Sequence, residues 1–447
     1  MTNAKNEYDY VVVGGGAAGV FSSIQFSLEI ADAKKSGSIL KPRVVILEGS
    51  RRLLTKVKVS GGGRCNVTHN EFDPKNLVQN YPRGQRELRG PFSRFQPKDT
   101  VEFFETRGIK LKTEKDGRMF PTTDSSQTII DCLLDETSKF NVEIKKGFLL
   151  NSITKNGDFF HIVNQKGEEI TSKNVLLATG SNPAVWGLIK DLGIKIISPV
   201  PSLFTFSIKD PLLSDLSGTA FQKVRLKLQA DRPKIKAEPS DVKSSKKEKK
   251  QKAISFDGPL LITHWGLSGP AVLKLSAFGA RDLFESDYHG KLMCNFLFDM
   301  SEEDALEVIR KEISKNPKGK PIKYSLFEPI TKRFWSRLIE VSGWEDYLNW
   351  SQVPGAKLKK LAENICNYQF QITGKGVFKE EFVTAGGVDL KELDLKTMQS
   401  KKIEGLFFAG ETTNVDGITG GFNFQNAWTG GYLSGRAVAQ KVISEQK

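Results

Sequence analysis

The residues best suited to chemistry fall in four glycine-rich clusters. In the first, VVVGGGAAG, Gly14, Gly16 and Gly19 follow the spacing G-x-G-x-x-G, with Ala17 and Ala18 in the last gap. That pattern suits the grip of a dinucleotide pyrophosphate. Gly14 permits a tight turn, Gly16 lets the backbone approach the phosphates, and Gly19 lets helix pack on strand. A helix starting there presents unpaired N–H groups and partial positive charge to the anion. The ribose hydroxyls of such a ligand need an acid at the end of the next strand, and Glu48, closing RVVILE, holds that place. It stands 29 residues beyond Gly19, farther than the usual ~20. The hydrophilic stretch ADAKKSGSILKP can absorb the difference by extending the helix and loop. A solvated strand-end acid is the plainer alternative.

The second cluster is Ser60-Gly61-Gly62-Gly63-Arg64-Cys65-Asn66. Successive glycines allow a backbone concavity whose N–H groups bind an anion or a ring carbonyl. Arg64 would add a fixed positive charge suited to a diphosphate. Lys56 just upstream could face the same ligand, although it reads more simply as a surface lysine. Dithiol redox chemistry needs two cysteines together, whereas Cys65, Cys132, Cys294 and Cys366 are scattered. Cys65 is therefore expected to be a packed residue near the cofactor. The scatter also argues against a disulfide framework and a thiolate zinc site, and the four dispersed histidines form no metal-ligand pair. No metal is expected.

The third cluster is Ala178-Thr179-Gly180, ending the strand NVLLA, where small residues let the backbone pass close to the nucleotide half of a cofactor. The fourth runs from Gly405 to Gly435, GLFFAGETTNVDGITGGFNFQNAWTGGYLSG. A buried strand ends in Gly410-Glu411, a loop carries Asp416, Gly417, Gly420 and Gly421, and a helix is predicted from about Asn426. The start of such a helix can stabilise the negative charge that a flavin accumulates on reduction. The backbone N–H groups of Asn423, Phe424 and Gln425, behind Gly421 and Phe422, are predicted to do this work. The cofactor expected is thus FAD.

These clusters need elements to position them. Tyr8 to Val13 and Arg43 to Leu47 read as buried parallel strands, and Ala17 to about Ile30 as the helix between them. Three β-rich pieces between Asn141 and Leu177 suggest an antiparallel meander returning to the main sheet. Gly405 to Ala409 is again a buried strand. The fold expected is α/β, with a dinucleotide-binding domain built from residues 1–197 and 385–447. Residues 198–384 change character, with strand-like SLFTFSI and KVRLKL and helical texture from Glu302 to Tyr368, and read as an inserted domain.

Length and composition agree with a multidomain globular chain: 447 residues, 38% hydrophobic and 26% charged. No run approaches the ~18 apolar residues of a membrane helix, and the polar start lacks a signal peptide's apolar core. Cytoplasmic location without membrane contact is the expectation, and no obligate protein partner is evident. The net charge of +14 raises the question of nucleic acid. Residues 231–252 hold nine Lys/Arg against four Asp/Glu and read as a mobile surface loop rather than an RNA-binding arm. Nucleic acid is accordingly not expected as a partner.

Taken together, GGGAAG, SGGGRCN, THWGLSGPA, VTAGGVDLKELDLKTMQSK and FFAGE…DGITGGFNFQNAW resemble a widespread bacterial group of flavoproteins, and nearly the whole chain takes part. Its members include bile-acid-reducing and aminoacetone-oxidising enzymes. The resemblance implies a glutathione-reductase-like FAD domain interrupted by an insert with a β-barrel and a helical part. It also implies non-covalent FAD held by the glycines and Glu48. Two departures stand out: the basic stretch near Lys246 to Lys252, and GGFNFQ at residues 420–425 where the group more often has GGYNLQ.

The activity implied is an FAD-dependent oxidoreductase acting on a small molecule by hydride transfer at the flavin. A protonation partner would come from His264, in THWGLSGPA, which the resemblance puts in an insert covering the flavin. A histidine satisfied within the insert's own core is the competing reading. There is no second strand–GxGxxG–helix unit, so NADH or NADPH would have to dock transiently as reductant. Two other classes stay open: a flavin-dependent RNA-modifying enzyme, suggested by the charge and by this scaffold's use in tRNA modification, and a non-catalytic flavin-binding redox sensor.

Overall fold

The computed structural model describes residues 6–231, 253–344, 349–376 and 383–445. The basic stretch singled out above lies, apart from Asp231, outside the described residues. The chain forms two compact units, Met1–Pro199 with Thr384–Lys447, and Val200–Val383.

The first unit is a Rossmann-type α/β domain. Its sheet has seven strands, in the order Leu393–Asp394, Gln399–Ser400, Leu406–Phe408, Val175–Leu177, Tyr10–Val13, Val44–Glu48 and Glu143–Lys146. The last five pair in parallel, Val11 with Val175 and Val45, and Val175 with Leu406. A parallel strand covered on both faces must be apolar throughout, and all four residues of Tyr10–Val13 are buried. The C-terminal strand thus lies one strand away from the N-terminal one, with Val175–Leu177 between them.

Three sequence expectations need adjusting. The first helix runs Ala17–Lys35 rather than ending near Ile30. Ala31 to Lys35 are mostly good helix formers, and Lys34 and Lys35 face the negative end of the dipole. This extension takes up much of the long spacing to Glu48. The β-rich region also divides differently: Glu143–Lys146 joins the parallel sheet, while Leu150–Asn156, Phe159–Asn164 and Glu169–Ser172 form the antiparallel meander. Finally, the last helix starts at Phe422, four residues before the expected Asn426, and runs to Ser444. Gly421, at φ 90°, is its N-cap. A left-handed residue there turns the chain sharply, so Phe422 to Gln425 form the first helical turn instead of a loop.

The second unit is an antiparallel sheet of seven strands with helices packed on it. The order is Tyr368–Ile372, Gly290–Asn295, Ala220–Ala230, Ile254–Thr263, Gly266–Ser268, Phe206–Ser207 and Gly374–Lys375. The strands at its two edges, Tyr368–Ile372 and Gly374–Lys375, are separated in sequence by Thr373 alone. One continuous segment therefore borders both ends of the order, which bends the sheet into a barrel. Phe221, Phe296, Phe334 and Phe370 lie in its core with Trp335 and Trp350. Among the described residues no helix is long and apolar enough to cross a membrane.

Candidate functional site

All four glycine clusters meet within the first unit. Gly14 follows the first strand, its N–H donating to Leu47 O at 2.8 Å. A Cβ on Gly14 would collide with the Ala178 carbonyl, and one on Gly19 with the Gly14 carbonyl. The first cluster is thus pressed against the third. A Cβ on Gly410 would lie 3.2 Å from Ala18 Cβ and 3.9 Å from Ala427 Cβ, so the fourth cluster abuts the start of the first helix. One on Gly180 would stand 3.7 Å from Glu411 Oε2 and 3.8 Å from Lys56 Nζ. The Lys56 ammonium pairs with the Glu411 carboxylate, joining the helix that leads into the second cluster to the loop of the fourth. Lys56, read from sequence as a surface lysine, is indeed exposed, with 65% of its side chain accessible, and makes this contact at the surface.

Two helices begin at this convergence, and neither has a side-chain cap. Gly16 precedes Ala17–Lys35, and Gly421 precedes Phe422–Ser444. Uncapped N-termini leave N–H groups for a ligand. Around Gly16 a Cβ would meet nothing within 4 Å, so the backbone is open to a phosphate. The hydroxyl of Thr179 is buried without a partner among the described residues, the kind of orphaned group a bound nucleotide would satisfy. These features fit FAD.

Several predicted residues already have partners in the protein. Glu48 accepts hydrogen bonds from the N–H of Gly15 at 2.7 Å, through Oε2, and of Ser50 at 2.7 Å, through Oε1. A carboxylate has about four acceptor sites, leaving capacity for ribose hydroxyls. Arg64, expected at a diphosphate, is bound instead by Glu114 at 2.7 Å and Asp124 at 3.6 Å, and lies 4.0 Å over the Phe120 ring. The Glu114 carboxylate holds its guanidinium pKa above the ordinary range. Its charge is balanced by the protein itself.

Ser60 leaves the helix with extended ψ, and Gly61, Gly62 and Gly63 follow at φ 58°, 69° and 83°. Ser60 Oγ donates to Val57 O at 2.9 Å. Cys65 is fully buried, and burial pushes its thiol up to about 12. Burial thus favours the neutral thiol over the nucleophilic thiolate. Asn66 bridges onward: with its amide oriented to donate to Thr68 O (3.0 Å), it accepts from the Gly421 N–H at 2.9 Å.

At the last helix the N–H groups expected to face the flavin are Asn423, Phe424 and Gln425. That of Gln425 donates to Gly421 O at 2.9 Å and closes the first turn. The first three positions, Phe422 to Phe424, carry the N–H groups without an intrahelical partner. The Gln425 side chain is buried: its oxygen accepts from Thr68 at 2.6 Å and Thr100 at 2.9 Å, and its amide donates to Thr429 at 3.1 Å. Asn423 closes a ring with Gly417, donating to its carbonyl at 2.9 Å and accepting its N–H at 2.8 Å.

His264 lies in the second unit, exposed on the two-residue turn between Ile254–Thr263 and Gly266–Ser268. It is not the core histidine of the competing reading. Sequence reasoning passed over His69, whose ring stacks on Phe422 with centroids 4.7 Å apart. It passed over Tyr81 as well, whose hydroxyl donates to Phe422 O at 2.7 Å, and the buried Arg83–Asp416 ion pair. None of these carries a local motif, and only Asp416, inside the fourth cluster, offered any signal.

Residues 8–437 match the HI0933-like protein Rossmann domain. The chain is 28% identical over 456 residues to the ribosomal RNA dihydrouridine synthase of Escherichia coli, covering 98% of each chain. It is 25% identical over 438 residues to the 3-dehydro-bile acid delta(4,6)-reductase of Clostridium scindens, covering 96% of this chain and 98% of that one. Among solved structures, the 3-ketosteroid-delta4-(5alpha)-dehydrogenase of Rhodococcus jostii superposes with a TM-score of 0.50 at 13% identity, covering 98% of each chain. That likeness is one of fold. With the domain match spanning both units and a dinucleotide cradle assembled from both ends of the sequence, the chain belongs to the HI0933-like Rossmann-domain family.

Proposed function

We propose that the chain is an FAD-dependent reductase of a carbon–carbon double bond conjugated to a carbonyl, and that its substrate is a uracil ring in ribosomal RNA. It is an oxidoreductase. The observation that carries the cofactor reading is the meeting of two uncapped helix starts at Gly410, between Ala18 and Ala427. The relatives' names support the bond type. Dihydrouridine is uridine with its ring double bond saturated, beside a carbonyl, and the bile-acid reductase is named for double bonds conjugated to an oxidised position 3.

FAD, when bound, supplies the two-electron exchange between a nicotinamide reductant and the double bond. The chain's own residues do the rest. Gly14 to Gly19 and the helix start at Ala17 bind the diphosphate, and Glu48 accepts ribose hydroxyls. The N–H groups of Phe422, Asn423 and Phe424 stabilise negative charge at the ring. Saturating the bond adds a hydride at one carbon and a proton at the other, the hydride coming ultimately from NADH or NADPH. We take His69, stacked on Phe422, as the group that holds that proton.

RNA, not expected as a partner from the charge distribution, is favoured as substrate by the 28% identical relative, with which the +14 net charge is compatible. A small conjugated ketone is the second reading, favoured by the bile-acid enzyme. The test is anaerobic. FAD-loaded protein is bleached with NADH, NADPH or, if neither acts, dithionite, and then mixed with deproteinised ribosomal RNA. The yellow colour should return, and digestion should yield uridine that has gained two hydrogens. Recovery with a cyclic enone but not with RNA would move the substrate to the second reading. A protein that takes up no FAD would end both.

A further inference from the structure

The first unit carries a concentration of positive charge that the cofactor site does not use. Residues 75–98 contain six Lys/Arg and a single acid, Glu87. Arg83 is taken up by Asp416. The other five, Lys75, Arg86, Arg89, Arg94 and Lys98, are exposed, and none forms an ion pair or side-chain hydrogen bond with another described residue. Some other surface cations of this unit are neutralised, as in the Arg64–Glu114–Arg118 cluster or Lys145 with Glu168. A run of cations left unpaired raises the local potential and attracts polyanions.

The position of this segment gives the charge a purpose. Its inner face is stitched to the loop and helix of the fourth cluster. Ile418 N–H donates to Asn80 O at 2.9 Å, Tyr81 Oη donates to Phe422 O at 2.7 Å, and Thr429 Oγ1 donates to Phe95 O at 3.0 Å. Leu77, Leu88, Phe92 and Phe95 are buried beneath. The cations therefore ride on a shell fixed directly to the helix start proposed to face the flavin.

We propose that Lys75, Arg86, Arg89, Arg94 and Lys98 form the docking surface for the phosphate backbone of a folded RNA, delivering a base to the neighbouring site. This rests on RNA being the substrate. Phosphate contacts fix register and orientation while reading no sequence, so the surface sets affinity and salt dependence. A solvated face serving solubility alone is the competing use, and the experiment separates them.

The FAD-loaded full-length protein is titrated against fluorescently labelled, deproteinised ribosomal RNA at several salt concentrations. The combined variant Arg86→Gln, Arg89→Gln, Arg94→Gln is compared with the parent and with Lys75→Gln, Lys98→Gln. Flavin absorbance and melting temperature serve as folding controls. The triple variant should bind on the order of tenfold more weakly, with a log Kd–log salt slope shallower by about 2 to 3; the double variant should fall between. If the parent binds RNA and both variants bind equally well, the surface assignment is wrong while the RNA reading stands. A parent that fails to bind RNA even at low salt removes the reading and this surface together.

Discussion

The hydroxyl oxygens of Ser22 and Ser434 lie 2.9 Å apart, although 412 residues separate them in sequence. Ser22 also bonds the Tyr10 hydroxyl at 2.7 Å. This buried chain of hydroxyls links the first strand, the first helix and the last helix. The two helices come so close because Gly431 and Gly435 face the first helix: a Cβ on Gly431 would lie 2.6 Å from Ala18 O, and one on Gly435 would overlap Ser22 O. The cofactor cradle depends on this approach, since both helix starts contribute to it.

Gly435→Ala should therefore push the helices apart. Overpacking of this kind costs ~1–3 kcal/mol, and the displacement reaches both helix starts. The expected result is a lower melting temperature together with faster FAD loss in gel filtration. A melting curve and flavin content equal to those of the parent would show that the helix contact does not hold the cradle.

Glu48→Ala removes a carboxylate that accepts the Gly15 N–H and has capacity for ribose hydroxyls. A hydrogen bond to a charged group is worth about 1.5–3 kcal/mol. FAD affinity should fall roughly 10- to 100-fold, read by flavin fluorescence on titrating the apoprotein. Glu48→Gln should recover part of this, because one acceptor oxygen survives. Unchanged affinity in both variants would leave Glu48 as a fastener of the glycine loop alone.

Asp416 is fully buried and paired with Arg83, whose side chain is 13% exposed. Removing one member of such a pair leaves the other's charge poorly compensated, at ~3–5 kcal/mol. Asp416→Asn should lower stability by that order in urea unfolding followed by tryptophan fluorescence. A change below about 1 kcal/mol would mean that water reaches Arg83 freely.

The buried thiols set a limit at high pH. Burial pushes Cys65 up to about 12 and Cys132 to about 11 from the ordinary 9.0. Below pH 9 both states keep the proton and the thiols contribute no pH dependence. Above it the unfolded chain loses protons that the folded one retains, so stability falls as pH rises from about 9 toward 11. Melting temperature should decline over that range, and less steeply in Cys65→Ala. Alkylation of the native protein at pH 8 should be slow, and complete once urea unfolds it. Rapid native labelling at Cys65 would contradict its burial.

Local geometry dictated by glycines, apolar runs and helix periodicity was legible in the residues themselves. The strand–turn–helix at Gly14 to Gly19, the strand ending at Glu48, and the buried strand before Gly410 all follow from residue type at short range. Which polar groups were already partnered became visible only in the folded chain. Arg64 looked like a free cation until Glu114 arrived from 50 positions away. Gln425 looked like a backbone donor until Gly421 turned the chain and started the helix early. Gly431 and Gly435 mattered because of a helix some 400 residues earlier, and His69 because Phe422 lies against it. The physical reason is range. Backbone conformation responds to neighbours within a few residues, whereas charge pairing and close packing depend on whichever distant side chains the fold brings into contact.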